Sequence, residues 1–242
     1  MYIRKKILFL LPLLFSISIF SQEIEEVIVK GEYREKSLSE EDSSIIVIQS
    51  ERIKSQAIKH FQQISYLIPN LNYAASDSRA RYFQIRGIGE RSGYQGTPNS
   101  SVGFLIDDID YSGQGGIATL FDVEQVEIYR GPQGSRTGAN ALAGLIYIKT
   151  KDPTDKFEGA SELTFGDYGT QNIGIAFGGP LKNEKIKYRF VMRTDYADGF
   201  RKNTYLNKSD TSKKDELTLR YKLDWEINET TNINFLVSKI DM

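Results

Sequence analysis

The sequence VEQVEIYRGPQGSRTGANALAGLIYIKT, residues 123–150, decides the fold of this chain. Two β-prone runs, VEQVEIYR and LIYIKT, flank a loop that contains Gly131, Gly134, Gly138 and Gly144. Glycine permits positive φ angles and close approach of one backbone to another, so the pattern predicts a tightly turned crossing between two buried strands. After residue 153 apolar and polar residues alternate, which indicates that a different kind of structure begins there.

The composition excludes several classes of function. The 242 residues are 40% hydrophobic and 26% charged with a formal net charge of -1, so the chain presents no basic field for nucleic acid. Cysteine is absent and His60 is the only histidine, which leaves little material for a metal cluster or a Ser-His-Asp triad. The segment GPQGSRTG also lacks the Lys-Ser/Thr ending of a P-loop. We therefore expect no catalytic residues, no metal site and no cofactor.

Residues 1–21 have the pattern of an export signal. Arg4, Lys5 and Lys6 precede the apolar run of residues 7–20, and small residues lie close to a cleavage point before Gln22. The run is shorter than the ~20 residues that a helix needs to cross a bilayer. A cleaved signal peptide is therefore expected, with an uncleaved anchor as the alternative, and the chain is expected in the periplasm or outer membrane of a bacterium.

Residues 43–153 are expected to form a small mixed α+β domain. Apolar residues recur at roughly helical spacing between residues 51 and 68, and Pro69 ends the run. His60 would lie on this predicted helix beside its apolar face, exposed to solvent or in a local hydrogen bond. Two β-prone runs follow, residues 82–89 and 101–111, and a polar loop with turn-forming residues separates them.

The rest of the chain predicts about five amphipathic strands. They lie near residues 157–166, 170–178, 186–196, 216–227 and 231–240. Strands of about 10 residues suit a tilted crossing of a bilayer, and 14 Tyr and 13 Phe suit the aromatic girdles of a membrane barrel. A soluble antiparallel sandwich also alternates and is the alternative. Since the smallest membrane barrels have about 8 strands, we expect the chain to be the N-terminal part of a longer protein.

Four landmarks, in this order, resemble the TonB-dependent receptors. They are EEVIV (25–29), which is similar to the TonB box, FQIRG (83–87), FLIDD (104–108) and the glycine-rich segment 123–150. The third departs from the family, because Asp108 stands where a glycine is usual. The last landmark is the most specific.

The resemblance implies an α+β plug domain followed by antiparallel strands of a transmembrane β-barrel. In this chain the parts would be a signal peptide (1–21), a flexible linker with the TonB box (22–42), the plug domain (43–153) and the first barrel strands (154–242). It further implies a protein of the bacterial outer membrane, with the plug in the barrel lumen and the TonB box in the periplasm.

The resemblance also implies roles for single residues. A β-prone segment in a charged linker can add as a strand to the sheet of a partner, here TonB, through Glu25, Glu26, Val27, Ile28 and Val29. Family arginines pair with barrel glutamates and lock the plug, which would be the role of Arg86 and Arg130, with Glu127 on the same strand as Arg130. The partner glutamates are expected beyond Met242. Ordinary surface ion pairs are the alternative. The outward ends of the plug would sense ligand through Arg91, Tyr94, Tyr111 and Gln114.

The implied function is active uptake of a scarce nutrient, gated by the plug. The expected partners are TonB, outer-membrane lipids and a small extracellular ligand. A ferric siderophore is the leading cargo, because such anionic, oxygen-rich ligands suit Arg and Tyr donors; haem, cobalamin or an oligosaccharide are alternatives. Two other classes remain: a secreted β-rich carbohydrate- or ligand-binding adhesion module, and a secreted hydrolase using Asp107, Asp108 and Asp110.

Overall fold

The computed structural model describes residues 26–31, 36–75, 79–93, 99–181 and 184–242. The expected signal peptide, Glu25 and Tyr94 lie outside the described residues. No helix within these ranges has the length and apolar character that crossing a membrane requires.

The N-terminal domain contains nine short strands and three short helices among the described residues. The strands are β1 (Ile28–Val29), β2 (Lys36–Ser37), β3 (Ile45–Gln49), β4 (Leu71–Ala75), β5 (Ala80–Ile85), β6 (Val102–Ile106), β7 (Ile109–Asp110), β8 (Val123–Arg130) and β9 (Gly144–Thr150). The helices are α1 (Ser50–Ser55), α2 (Phe61–Ile64) and α3 (Gly134–Thr137). In the described part of this domain, 3-10 turns lie at Leu38–Glu40, Ser65–Leu67 and Gly115–Ile117.

The central sheet of this domain has the strand order β3-β8-β9-β6-β7. β8 and β9 are antiparallel, whereas β6 and β9 are parallel. The loop between β8 and β9 contains α3, and a side chain at Gly144 would collide with the carbonyl oxygen of Tyr129. The glycine-rich crossing predicted for residues 123–150 is therefore present, and close backbone approach explains the glycine at its end.

Three phenylalanines form the centre of the domain's core. The ring of Phe61 meets those of Phe83 and Phe104 edge-on, at centroid distances of 5.1 and 5.3 Å. Phe83 and Phe104 stack on each other at 5.5 Å. The three rings thus join α2 to β5 and β6. Aromatic pairs in these geometries stabilise the fold beyond the contribution of burial alone.

The single helix predicted over residues 51–68 is wrong. α1 ends at Ser55 and the chain turns through Ala57, whose φ is 50°. His60 is the N-cap of α2: its Nδ1 accepts from the amide of Gln62 at 3.2 Å, and the Gln63 side chain accepts from the amide of His60 at 3.1 Å. This reciprocal capping starts a new helix where the apolar spacing predicts a continuous one.

The C-terminal sheet is antiparallel, with the strand order β10-β11-β12-β15-β16. Its strands are β10 (Glu158–Phe165), β11 (Gln171–Pro180), β12 (Ile186–Ala197), β15 (Lys214–Asn228) and β16 (Thr231–Asp241), and the loop after β12 carries the hairpin of β13 (Arg201–Asn203) and β14 (Lys208–Thr211). The five predicted amphipathic strands are confirmed.

The two faces of this sheet have opposite character. One face carries exposed apolar side chains, among them Leu163, Phe165, Ile173, Ile175, Phe235 and Val237. The other carries charged side chains that the N-terminal domain buries, including Arg189, Arg193, Arg220 and Lys222. A soluble sandwich buries its apolar face and exposes its polar face, so this sheet has the reverse polarity.

Candidate functional site

Four cations line the face of the C-terminal sheet that meets the N-terminal domain. Arg189 and Arg193 project from β12, and Arg220 and Lys222 from β15; each is at most 7% exposed. The register places Arg189 directly opposite Lys222. Like charges in this position destabilise a sheet, and buried charges need partners. Those partners come largely from the N-terminal domain, and we call this contact region the seam.

Asp122 is the partner of Arg189. The Arg189 Nε donates to Oδ2 of Asp122 at 2.7 Å and its Nη2 donates to Oδ1 at 2.5 Å, while the Asp122 side chain is only 2% exposed. Arg220 Nη2 lies 3.9 Å from the same carboxylate and donates to the backbone carbonyl of Asp122 at 3.3 Å. One carboxylate of the N-terminal domain therefore compensates two cations of the sheet.

Lys222 connects three further points. Its Nζ donates to the carbonyl of Thr150 at 3.1 Å and to Oδ1 of Asp152 at 2.8 Å, and it lies 3.1 Å from Oδ1 of Asp107. Burial alone raises the pKa of Asp152, but Lys222 and Lys149 outweigh it and hold the pKa below its ordinary value. This lysine fastens β15 both to the turn after β6 and to the end of β9.

The seam also contains an aromatic contact, between Phe121 and β11. A Cβ at Gly174 on β11 would lie 2.8 Å from the ring of Phe121, so only glycine fits beneath this ring. The Arg193 guanidinium lies 5.4 Å from the centroid of the ring. Arg193 also donates to Glu162 at 2.6 Å and to Asp195 at 2.8 Å, which compensates its charge within the sheet.

Near the start of β15 the N-terminal domain supplies the cations and the C-terminal sheet supplies the carboxylates. Here Arg79 of the N-terminal domain donates to both carboxylate oxygens of Glu216, at 2.7 Å each, and Lys59 pairs with Glu162 at 2.8 Å. Beside Arg79 lies a cavity of about 420 Å³. Its lining includes Arg81, Gln114, Lys213, Lys214, Asp215 and Glu216.

The locking role expected of Arg86, Glu127 and Arg130 stays a prediction, and these residues make the following bonds in the described part of the chain. The exposed Arg86 donates to Ser44 Oγ at 3.3 Å, and the backbone amide of Arg130 donates to Ser44 O at 2.8 Å. Glu127 is fully buried and bonds to the amides of Lys30 and Gly31, inside its own domain. Among the described residues, no ion pair joins Arg86, Glu127 or Arg130 to the C-terminal sheet.

The expected ligand-sensing residues do not all line one cavity, although the amide of Gln114 donates to the carbonyl of Tyr111 at 2.8 Å. Gln114 lines the 420 Å³ cavity, whereas Tyr111 and Arg91 are not among its lining residues. Sequence reasoning placed no role on Lys213 or Lys214, which do line it. The signal for these two was a basic run just before a strand, which is equally typical of a solvated loop.

The described part of the TonB-box region contacts the plug. Ile28 and Val29 form β1, which pairs with β2, and Val29 is completely buried while Ile28 is 40% exposed. Glu26 lies exposed before them and Val27 accepts from the amide of Leu38 at 2.9 Å. Two short strands therefore lie within the residues expected to form a flexible linker, whose flexibility stays a prediction.

The polarity of the C-terminal sheet defines the class of protein. An apolar face directed outward and a charged face covered by a compact domain are the features of an outer-membrane barrel wall with an internal plug. Residues 37–145 match the model of the TonB-dependent receptor plug domain. The N-terminal domain is therefore the plug domain of a TonB-dependent receptor, and the C-terminal sheet has the polarity of the barrel wall of an outer-membrane receptor.

A transporter and a receptor are similar to this chain over part of its length. The vitamin B12 transporter of Vibrio vulnificus is 28% identical over 120 residues, which are 50% of this chain and 19% of that protein. The pesticin receptor of Yersinia pestis is 24% identical over 174 residues, which are 72% of this chain and 25% of that protein. The chain thus spans about a fifth to a quarter of the length of these relatives.

Solved structures show the same fold. The ferric yersiniabactin uptake receptor of Yersinia pestis superposes with a TM-score of 0.72 at 21% identity, covering 82% of this chain and 31% of that one. The ferripyoverdine receptor of Pseudomonas aeruginosa, bound to ferripyoverdine, has a TM-score of 0.71 at 18% identity, covering 88% of this chain and 27% of that one.

His60 gives the plug a measurable pH dependence. Burial, and then the positive charge of Arg79, lower the pKa of His60 to about 3. Its Nδ1 accepts a hydrogen bond, so the neutral ring carries its proton on Nε2 and donates to the Gly116 carbonyl at 2.9 Å. Because the pKa of His60 in the folded plug is below the ordinary 6.5, the neutral ring contributes to the stability of the folded plug. This contribution is fully present above pH 6.5 and is lost as the pH falls toward 3.

We expect the ring of His60 to stay neutral from about pH 7 to about pH 4. The free energy of unfolding of the plug should fall by about 2 kcal/mol between about pH 7 and about pH 5. NMR of isotope-labelled histidine measures the protonation directly, and the His60→Gln variant assigns the resonance and should remove this part of the pH dependence. A ring that titrates near its ordinary pKa would contradict the buried placement.

Proposed function

We propose that the whole protein is a gated receptor for uptake across the outer membrane. The plug closes the barrel, an extracellular ligand binds at its outward end, and energised TonB displaces part of it. The observation that carries the proposal is the buried seam around Asp122 and Arg189. Removing one partner of a buried ion pair costs about 3–5 kcal/mol, so a plug seated in this way needs an external source of work to move.

We assign the cargo to the ferric siderophores. Two of the similar solved proteins are named for ferric yersiniabactin and ferripyoverdine. In this chain, the cavity beside Arg79 is lined by Arg81, Lys213 and Lys214 as well as by two carboxylates. Cations in this number favour an anionic, oxygen-rich ligand. Cobalamin is the second candidate, since a vitamin B12 transporter is among the relatives.

The cargo assignment predicts a selective loss of iron uptake. The test supplies radioactive iron to the cells as one of a panel of ferric siderophores of the hydroxamate, catecholate and mixed-ligand types. Cells that lack the full-length receptor are expected to stop accumulating the iron of one siderophore in this panel. Uptake should return with the intact receptor. Uptake of radiolabelled cobalamin by the same cells is the control and should be unchanged. Loss of cobalamin uptake with normal iron uptake throughout the panel would contradict the assignment.

The two alternative classes receive less support. The exposed apolar face of the barrel wall does not suit a soluble adhesion module. The acidic trio proposed for a hydrolase is occupied by structural bonds: Asp107 accepts from the amide of Thr150, Asp108 pairs with Arg136, and Asp110 accepts from Ser112 and Asn140. These bonds stabilise the turn after β6, and they account for each of the three carboxylates.

A further inference from the structure

Glu127 is a fully buried carboxylate that holds a different segment of the chain. It accepts hydrogen bonds from the backbone amides of Lys30 at 2.7 Å and Gly31 at 2.8 Å. Two side chains of its own strand, Gln125 at 2.5 Å and the Tyr129 hydroxyl at 2.7 Å, supply two more donors. In the described part of the chain no Lys or Arg forms an ion pair with it, so these four neutral donors stabilise the charge.

The segment fits this carboxylate closely. Gln125 Nε2 also donates to the carbonyl of Ile28 at 2.9 Å, and Val29 is buried in a small apolar cluster that includes Leu105, Tyr129, Leu145 and Tyr147. A Cβ at Gly31 would lie 2.5 Å from Oε2 of Glu127 and from the Tyr129 hydroxyl oxygen. Only glycine therefore allows the amide of residue 31 to reach the carboxylate.

We propose that Glu127 is a positioning residue that clasps residues 28–31 to the plug, and that opening this clasp is the first step when the segment is pulled. Withdrawal of the segment takes away two of the four donors of a carboxylate that is fully buried while the segment is in place. A buried acceptor that loses its donors is costly, so the clasp resists small forces and closes again when the pull ends. That TonB pulls on this segment rests on the proposed function, whereas the bonds between Glu127 and residues 28–31 do not depend on it.

The test uses the intact receptor with a nitroxide on Ile28→Cys, where the native side chain is 40% exposed. With Glu127 present, we expect a label of restricted mobility. Glu127→Gln keeps the shape but replaces one acceptor oxygen by a donor that faces backbone amides. We expect a mostly mobile label and roughly 10–100-fold faster hydrogen exchange in residues 26–31. Hydrogen exchange in β8 and β9 monitors the fold.

Glu124→Gln is the matched control. Glu124 lies on the same strand and pairs with the Lys30 Nζ at 2.6 Å, but both side chains are partly exposed, at 33% and 24%. An exposed pair contributes about 0–1 kcal/mol, so this variant should leave the label restricted. Gly31→Ala is the second test variant. It leaves Glu127 intact, blocks the approach of the segment, and should release the label as Glu127→Gln does.

The outcomes separate the clasp from the proposed function. A mobile label in Glu127→Gln and Gly31→Ala, together with a restricted label in Glu124→Gln, supports the clasp. If hydrogen exchange shows that Glu127→Gln unfolds β8, the mobility of the label in Gly31→Ala decides whether the clasp exists. A label that stays restricted in Gly31→Ala with β8 protected overturns it. Uptake that still requires TonB would leave the proposed function standing in that case. A released label with uptake that never required TonB supports the clasp and contradicts the proposed function.

Discussion

Replacement of Asp122 by asparagine is expected to loosen the plug from the barrel wall by about 3–5 kcal/mol. The backbone at Asp122 has a φ of 59°, a left-handed conformation that asparagine also tolerates, so the substitution removes the charge without adding strain. Arg189, which is 3% exposed, loses its bidentate partner, and Arg220 loses the carboxylate 3.9 Å away. Two buried cations are then left beside Lys222.

The loosening is measured by hydrogen exchange across residues 120–130 and by urea-induced unfolding of the plug in the intact receptor. Asp155→Asn is the matched control: Asp155 pairs with Lys187 at 2.7 Å, but its side chain is 83% exposed. An exposed pair is expected to contribute about 0–1 kcal/mol. If Asp122→Asn and Asp155→Asn destabilise the plug equally, the seam does not hold the plug in the way described here.

Replacement of Ile28 by proline is expected to abolish energy-dependent uptake. Residue 28 lies in β1 and belongs to the segment proposed to add as a strand to TonB. Proline has no amide hydrogen and fixes φ, so it cannot donate the strand hydrogen bond. The barrel wall and the cavity beside Arg79 are untouched by the change.

Uptake of the radioactive cargo is therefore expected to fall to the level seen in cells without TonB, while binding of the cargo at the cell surface persists. Ile28→Val is the control, because valine keeps both the amide hydrogen and the β propensity. Uptake by Ile28→Pro at the rate of Ile28→Val would remove residues 25–29 from the coupling mechanism.

The parts of the fold with a strong local pattern were predictable. Glycine spacing gave the crossing between β8 and β9, and alternation gave the five strands of the wall. The helix over residues 51–68 was wrong because its apolar spacing is compatible with one helix, whereas His60 is fixed by the carbonyl of Gly116, 56 residues away. A contact of that separation leaves no trace in local periodicity.

The seam could not be predicted for a similar reason. Asp122 and Arg189 are 67 residues apart, and Arg79 and Glu216 are 137 apart. In the sequence, the cations of β12 and β15 have the alternation of an ordinary solvated face. Only the structure shows that this face is covered, and that around Asp122 and Asp152 the cations belong to the wall and the acids to the plug.

Glu127 illustrates a clue that was present in the sequence but did not identify the partners of the residue. It is an acidic residue inside a run of apolar strand residues, VEQVEIYR, which predicts burial with a specific partner. The resemblance assigned it to the lock between plug and wall. Two of its four observed donors are backbone amides of the N-terminal segment, within the residues that composition described as a charged linker, and the other two lie on its own strand.

The most direct test of a plug that must be moved by TonB compares internalised and surface-bound cargo in cells with and without TonB. The cells make the full-length receptor and receive the ferric siderophore that it restores in the uptake panel. We predict equal surface binding in both, and internalised iron only where TonB is present. Equal internalisation in the two kinds of cell would contradict the account, because a plug held by the buried seam would then be passing cargo without external work.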